Sequence, residues 1–147
     1  AARRCSRHRA GAVVHARWMN QANFDRGPRR FFDAVPAPMR PVVVAMVRRS
    51  VRQSLHGHGL GRHTREEIET LARRDIDALS AFLADKPFLM GAEPCGGDAS
   101  VWPCVVSVLS PHFTTPIRDY AETKPNLVAY AARGMARWFP ELVPANG

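Results

Sequence analysis

Long apolar runs are missing from this chain. No stretch approaches the roughly 20 apolar residues that a membrane-spanning helix requires, so no transmembrane segment is expected. Cysteine is scarce: Cys5, Cys95 and Cys104 form an odd set with no C-x-x-C spacing. That excludes a disulfide framework and fits reduced thiols in a cytoplasmic protein. Lysine is nearly absent, with only Lys86 and Lys124 among 21 basic residues. Acids are almost lacking in the first 63 residues, where Asp25 and Asp33 face 13 arginines, whereas the remainder holds eight basic and eleven acidic residues. There is no initiator Met and no apolar core of a secretory signal, so the chain reads as a fragment. No segment alternates as a half-buried strand would; Val42-Val43-Val44 falls within a helical period.

What is present is 147 residues with 46% apolar content, enough for one domain with a real core. Residues 1–9 read as a ragged basic segment or fragment edge, and residues 10–147 as a single all-α domain. Val14 and Trp18 share a face of a first helix. The connection from Asn23 to Pro41 is broken by Gly and Pro, and Phe24, Phe31 and Phe32 are expected to plug it into the core. Pro41 suits the first turn of the next helix, in which Val43, Val47, Val51 and Leu55 recur on one face and Arg48, Arg49 and Arg52 on the other. The arginine run is thus most simply a solvated helix face. No finger, RNA-recognition or glycine-hinged motif accompanies it, which argues against nucleic acid as the partner.

Two helix starts are written out plainly. Thr64-Arg65-Glu66-Glu67 is a capping box, with Thr64 at N-cap and Glu67 three residues on. The helix that follows places Ile68, Leu71, Ala72, Ile76, Leu79, Phe82 and Leu83 on one side, and Asp75 falls on that apolar face as a buried acid. A buried carboxylate must be paired or protonated, and structural pairing is favoured over catalysis. The second start lies in Lys86-Pro87-Phe88-Leu89-Met90-Gly91 and Cys95-Gly96-Gly97-Asp98, where Cys95 takes the N-cap position and Asp98 the box acid. The helix they head is apolar nearly all round and is interrupted by Pro103. Pro125 opens a last helix carrying Leu127, Tyr130, Ala131, Met135 and Trp138.

Several strings in this order resemble the C-terminal domain of glutathione transferases, in the metaxin-like branch that includes the failed axon connections proteins and bacterial relatives. They are Ala16-Arg17-Trp18, Phe32-Asp33-Ala34-Val35-Pro36, Gly59-Leu60-Gly61-Arg62-His63-Thr64, Lys86–Gly91 through Asp98-Ala99, and Pro125–Tyr130 with Phe139-Pro140-Glu141. The resemblance implies a bundle of about five or six helices. It makes Asp98 a folding residue, and it puts Cys95 where the family usually has Ser or Thr. It also implies glutathione as cofactor of the intact protein, bound by a thioredoxin-like N-terminal domain that this chain does not contain, and a homodimer of the whole. This chain alone would then bind no cofactor and hold no catalytic residue. What it would contribute is an apolar-substrate wall, for which His15, Trp18 and Met19 on the first helix are the candidates. A non-catalytic scaffold domain is the rival reading, and a binder of nucleic acid or anionic surfaces the third.

The remaining reactive residues carry less. His56, His58 and His63 are separated by glycines and have no Cys or carboxylate close by, so no metal site is expected. Cys104 reads as core. Cys95 is the best nucleophile candidate because a helix N-terminus favours a thiolate, yet without a neighbouring base capping is the better assignment.

Overall fold

The computed structural model describes residues 2–57 and 59–142, apart from the side chains of residues 2–10 and 60. Seven α-helices follow in order: α1 Ala2–Met19, α2 Gln21–Arg26, α3 Arg40–Gly57, α4 Arg65–Leu83, α5 Gly96–Val108, α6 Pro116–Glu122 and α7 Pro125–Trp138. Short 3-10 turns lie at Pro28–Phe32, Leu60–Arg62 and Pro140–Leu142. Among the described residues there is no β-strand, only a bridge between Phe88 and Gly91. None of the described helices is long and apolar enough to cross a membrane.

The fold is all-α, with more helices than the five or six expected. The additional ones are short and separately capped. Asn20 Oδ1 accepts the Asn23 amide at the start of α2, and Thr115 Oγ1 accepts the Arg118 amide at the start of α6. The backbone of α1 is helical from Ala2, so the residues read as ragged up to Arg9 continue the first helix.

The core is built on α4. Thr64 N–H donates to Glu67 Oε2 at 2.8 Å and Glu67 N–H donates to Thr64 Oγ1 at 3.2 Å, which closes both legs of the box. Ile68, Ala72, Ile76, Leu79 and Leu83 then face inward against α1, α6 and α7. The apolar stripe is narrower than its sequence period, because Leu71 and Phe82 sit at its edges and are 36% and 55% exposed. Asp75 is half-buried, not the buried acid expected; the fully buried acid of the chain is Asp98.

Helix α3 packs on α1 with Leu55 buried but Val43, Val47 and Val51 only half-buried. Of the three phenylalanines ahead of it, Phe24 and Phe32 are buried with ring centroids 6.3 Å apart, while Phe31 turns outward. In a 3-10 turn adjacent side chains point about 120° apart, so Phe31 and Phe32 cannot both face the core.

The segment before α5 turns back at Gly91, whose φ of 136° is one that side chains rarely adopt. Phe88 and Gly91 exchange backbone hydrogen bonds of 2.9 and 3.1 Å across that turn. Asp98 Oδ2 accepts from the Cys95 amide at 2.8 Å, while Oδ1 accepts from the Leu89 amide at 3.1 Å and the Tyr130 hydroxyl at 2.7 Å. One carboxylate therefore ties the turn, the start of α5 and the middle of α7. The Asp98 amide donates to the Cys95 carbonyl at 3.0 Å, so a poor thiol acceptor at N-cap leaves no donor stranded. Pro103 is accommodated because it and Ala99, whose carbonyl loses its helical donor, both lie on the exposed side of α5.

Candidate substrate cleft

A cavity of about 140 Å³ opens where α1, the first turn of α4 and the loop before α6 meet. Ala12, Met19, Ile68 and Ile117 form its apolar walls. Polar groups enter from His15, Asn20, Asn23, Arg65, Glu69 and Thr114. Helical spacing puts Ala12, His15 and Met19 on one side of α1, one and two turns apart.

Of the three residues expected to form a substrate wall, His15 and Met19 line this cavity. Trp18 does not; it is half-buried with its ring 5.8 Å from Phe24, on the side of α1 that meets α2. Trp18 is rotated from Met19 by about 100° around the helix, which turns its ring toward α2.

The electrostatics favour a neutral histidine. Burial, and secondarily the Arg65 guanidinium, push the His15 imidazole below its ordinary range, so it is uncharged at neutral pH. Arg65 is held by Glu69 one turn on, with Nε 3.0 Å from Oε1. The cleft thus presents uncharged donors and acceptors beside a neutralised ion pair over an apolar floor. That chemistry suits a small, mostly apolar ligand with one or two polar atoms.

Asn23 organises the cleft and was not legible in the sequence. It is 2% exposed, and its Nδ2 donates to the Ala16 and Thr114 carbonyls at 3.2 Å while Oδ1 accepts the Thr114 amide at 3.3 Å. These bonds fasten the loop before α6 to the end of α1. Asn23→Ala would remove these bonds and free the loop. Thr114 is exposed, so water can take over its backbone groups and the cost is that of the lost hydrogen bonds, about 0.5–1.5 kcal/mol each. The expected result is a lower urea midpoint together with faster amide exchange at residues 112–115. Unchanged exchange in that loop would show that Asn23 does not hold it.

Other candidates lie apart from the cleft. Cys95 is half-buried at the start of α5, and Cys104 is half-buried on α5. Contrary to expectation, His63 does have a carboxylate close by: its Nδ1 lies 3.4 Å from Glu67 Oε2, an ion pair only when the imidazole is protonated. His56 is exposed and His58 lies outside the described residues. Among the described residues no three metal-binding side chains converge.

The described residues thus form an all-helical bundle whose α5 is headed by a buried capping acid, with a cleft beside the first helix. Residues 72–134 match the family model described as "Glutathione S-transferase, C-terminal domain". An isoprene-epoxide–glutathione S-transferase of Rhodococcus sp. (strain AD45) is 33% identical over 122 residues, 82% of this chain and 51% of that protein. Failed axon connections of Drosophila melanogaster is 36% identical over 92 residues, 60% of this chain and 22% of that protein. The chain therefore spans about half the length of the first relative and about a fifth of the second. No solved structure gave a significant match.

Proposed function

We propose that this domain forms the electrophile side of a glutathione-dependent transferase, with the cleft beside α1 taking the apolar substrate. The observation that carries the reading is the placement of His15 and Met19 in a cleft whose walls are apolar and whose polar groups are uncharged or paired. The 33% identity to an enzyme named for an epoxide and glutathione supports a small electrophile of that kind. Glutathione and the group that activates its thiol would be supplied by a thioredoxin-like domain of the intact protein. In that arrangement Met19 contacts the carbon skeleton, and neutral His15 or Asn20 meets a polar atom as it develops charge. Cys95 and Cys104 remain thiols in a reducing cytoplasm, and neither has a role in the chemistry.

The test is a titration of the 147-residue chain with a small apolar epoxide, followed by amide chemical shifts. Shifts concentrated at residues 15–23 and 114–117, abolished by Met19→Arg, are expected. The chain alone should not conjugate glutathione to an aryl halide. Shifts absent from the cleft would favour the scaffold reading, and clear turnover by this chain alone would overturn the division of labour.

A further inference from the structure

The strongest unassigned feature of the surface is the outer side of α3 with the connection leading into it. Met39, Val42 and Met46 fall at i, i+3 and i+7, which places them along one stripe. They are 59%, 65% and 66% exposed. Phe31, on the 3-10 turn that packs against α3, is 77% exposed. A soluble monomer rarely leaves large apolar side chains contiguous on one helix face without a use for them.

The charge around the stripe is mostly positive, although Asp25 pairs with Arg29. Residues 26–63 contain eight arginines and a single acid, Asp33. Arg49 continues the stripe one turn beyond Met46, and Arg52 flanks it. Arg40 turns inward and donates to the carbonyls of Asp33 and Val35, which folds the connection back onto the start of α3. Among the described residues no ion pair reaches Arg30, Arg49 or Arg52, so their charge is uncompensated.

We infer that this face docks onto an anionic lipid surface, with Met39, Val42 and Met46 entering the acyl boundary and the arginines meeting the headgroup phosphates. An interfacial helix needs this pairing of an apolar stripe with uncompensated cationic groups. Charge complementarity chooses this occupant over the alternatives. A second copy seated face to face would cover the stripe but bring little acid to the unpaired arginines, since Asp33 is the single acid of residues 26–63. A nucleic acid would satisfy the arginines and could stack a base on exposed Phe31, but it would leave the three aliphatic or thioether side chains of the stripe in water. The face lies on α3, apart from the cleft built from α1, α4 and the loop before α6. The inference nonetheless requires that the further domain of the proposed transferase leave it open; protection of the face from amide exchange in the longer protein without vesicles would overturn it.

The test is flotation of the 147-residue chain with phosphatidylcholine vesicles, with and without phosphatidylglycerol. Binding to the anionic vesicles only is expected, falling steeply with added salt and not displaced by inorganic phosphate. Val42→Ser with Met46→Ser keeps the charge and is expected to weaken binding by about tenfold or more, because acyl contact is lost. Arg49→Gln with Arg52→Gln should weaken it similarly, because about two headgroup attractions are removed. All four residues are exposed or flank an exposed stripe, and circular dichroism checks that the fold is kept. Equal binding to neutral vesicles overturns the inference, as does full binding by the serine variant, which reduces the effect to surface charge. It is also overturned by a concentration-dependent dimer that the serine variant abolishes, or by a polynucleotide that outcompetes the vesicles.

Discussion

Asp98→Ala is expected to lower unfolding stability by about 3–5 kcal/mol, because it strands two buried donors and a half-buried one at once, and each buried one costs about 1–3 kcal/mol. Those donors are the amides of Leu89 and Cys95 and the hydroxyl of Tyr130, which is 0% exposed. Removing a buried charge offsets part of this cost, so the lower half of the summed range is the realistic one. Asp98→Asn preserves shape and the oxygen that serves Leu89 and Tyr130, and should cost clearly less. A melting temperature within a degree or so of the parent for the alanine variant would show that the capping network does not hold the fold.

The same carboxylate sets the acid limit of the domain. Burial pushes the Asp98 carboxyl up, but the hydrogen bonds from Cys95, Tyr130 and Leu89 outweigh it and hold it below the ordinary range. A depressed folded-state pKa means that the stabilisation is complete above the unfolded value of about 3.9, and is lost as pH falls through the lower folded value. Burial and the adjacent carboxylate push the Tyr130 hydroxyl far up, so it remains a donor throughout. Between pH 5 and strongly acid solution, the parent should therefore lose melting temperature faster than Asp98→Asn. Parallel profiles would assign the acid sensitivity elsewhere.

Gly134→Ala is the second large effect, and its sign runs against helix propensity. In the interior of α7, alanine should gain roughly 1 kcal/mol over glycine. Yet a Cβ at position 134 would lie 2.6 Å from Trp102 Cδ1, and nearer still to Nε1 and Cε2. Trp102 has no room to retreat. Its Nε1 donates to the Ala131 carbonyl at 3.2 Å, and its ring packs edge-on to Trp138 and stacks on Phe139 with centroids 4.9 and 5.7 Å away. Overpacking of this kind costs typically 1–3 kcal/mol and sometimes more, so a net loss of about 2 kcal/mol or more is expected in urea unfolding. In a Trp102→Leu background the same change should cost much less, giving a coupling energy on the order of 1–2 kcal/mol. A stabilising Gly134→Ala would show that α5 and α7 are less closely packed than the Trp102 contacts require.

Much of the architecture was legible because its signals are local. The Thr64–Glu67 box, the acid three residues after Cys95, the Pro at the start of α7 and the period of α4 each depend on groups within one or two turns of one another. The resemblance to a glutathione transferase C-terminal domain rested on the order of those signals, and the match over residues 72–134 agrees with it. The failures share one cause. Periodicity gives the direction of a side chain around its own helix but not what stands opposite. The pattern places Leu71, Phe82 and Phe31 inward, whereas they are 36%, 55% and 77% exposed, with the Lys86 ammonium over the Phe82 ring. Trp18 was grouped with His15 and Met19 by proximity in the chain, although one residue of helix turns it onto Phe24.

The sequence by itself determined the helical class, the main helix starts and the structural role of Asp98, because caps and turns act through backbone groups only a few residues away. Only the tertiary structure decided which acid is fully buried, why residue 134 must be glycine, and that Asn23 closes a cleft against a loop 91 residues distant. Each of these depends on atoms brought together from separate helices, and a linear pattern carries no record of that distance.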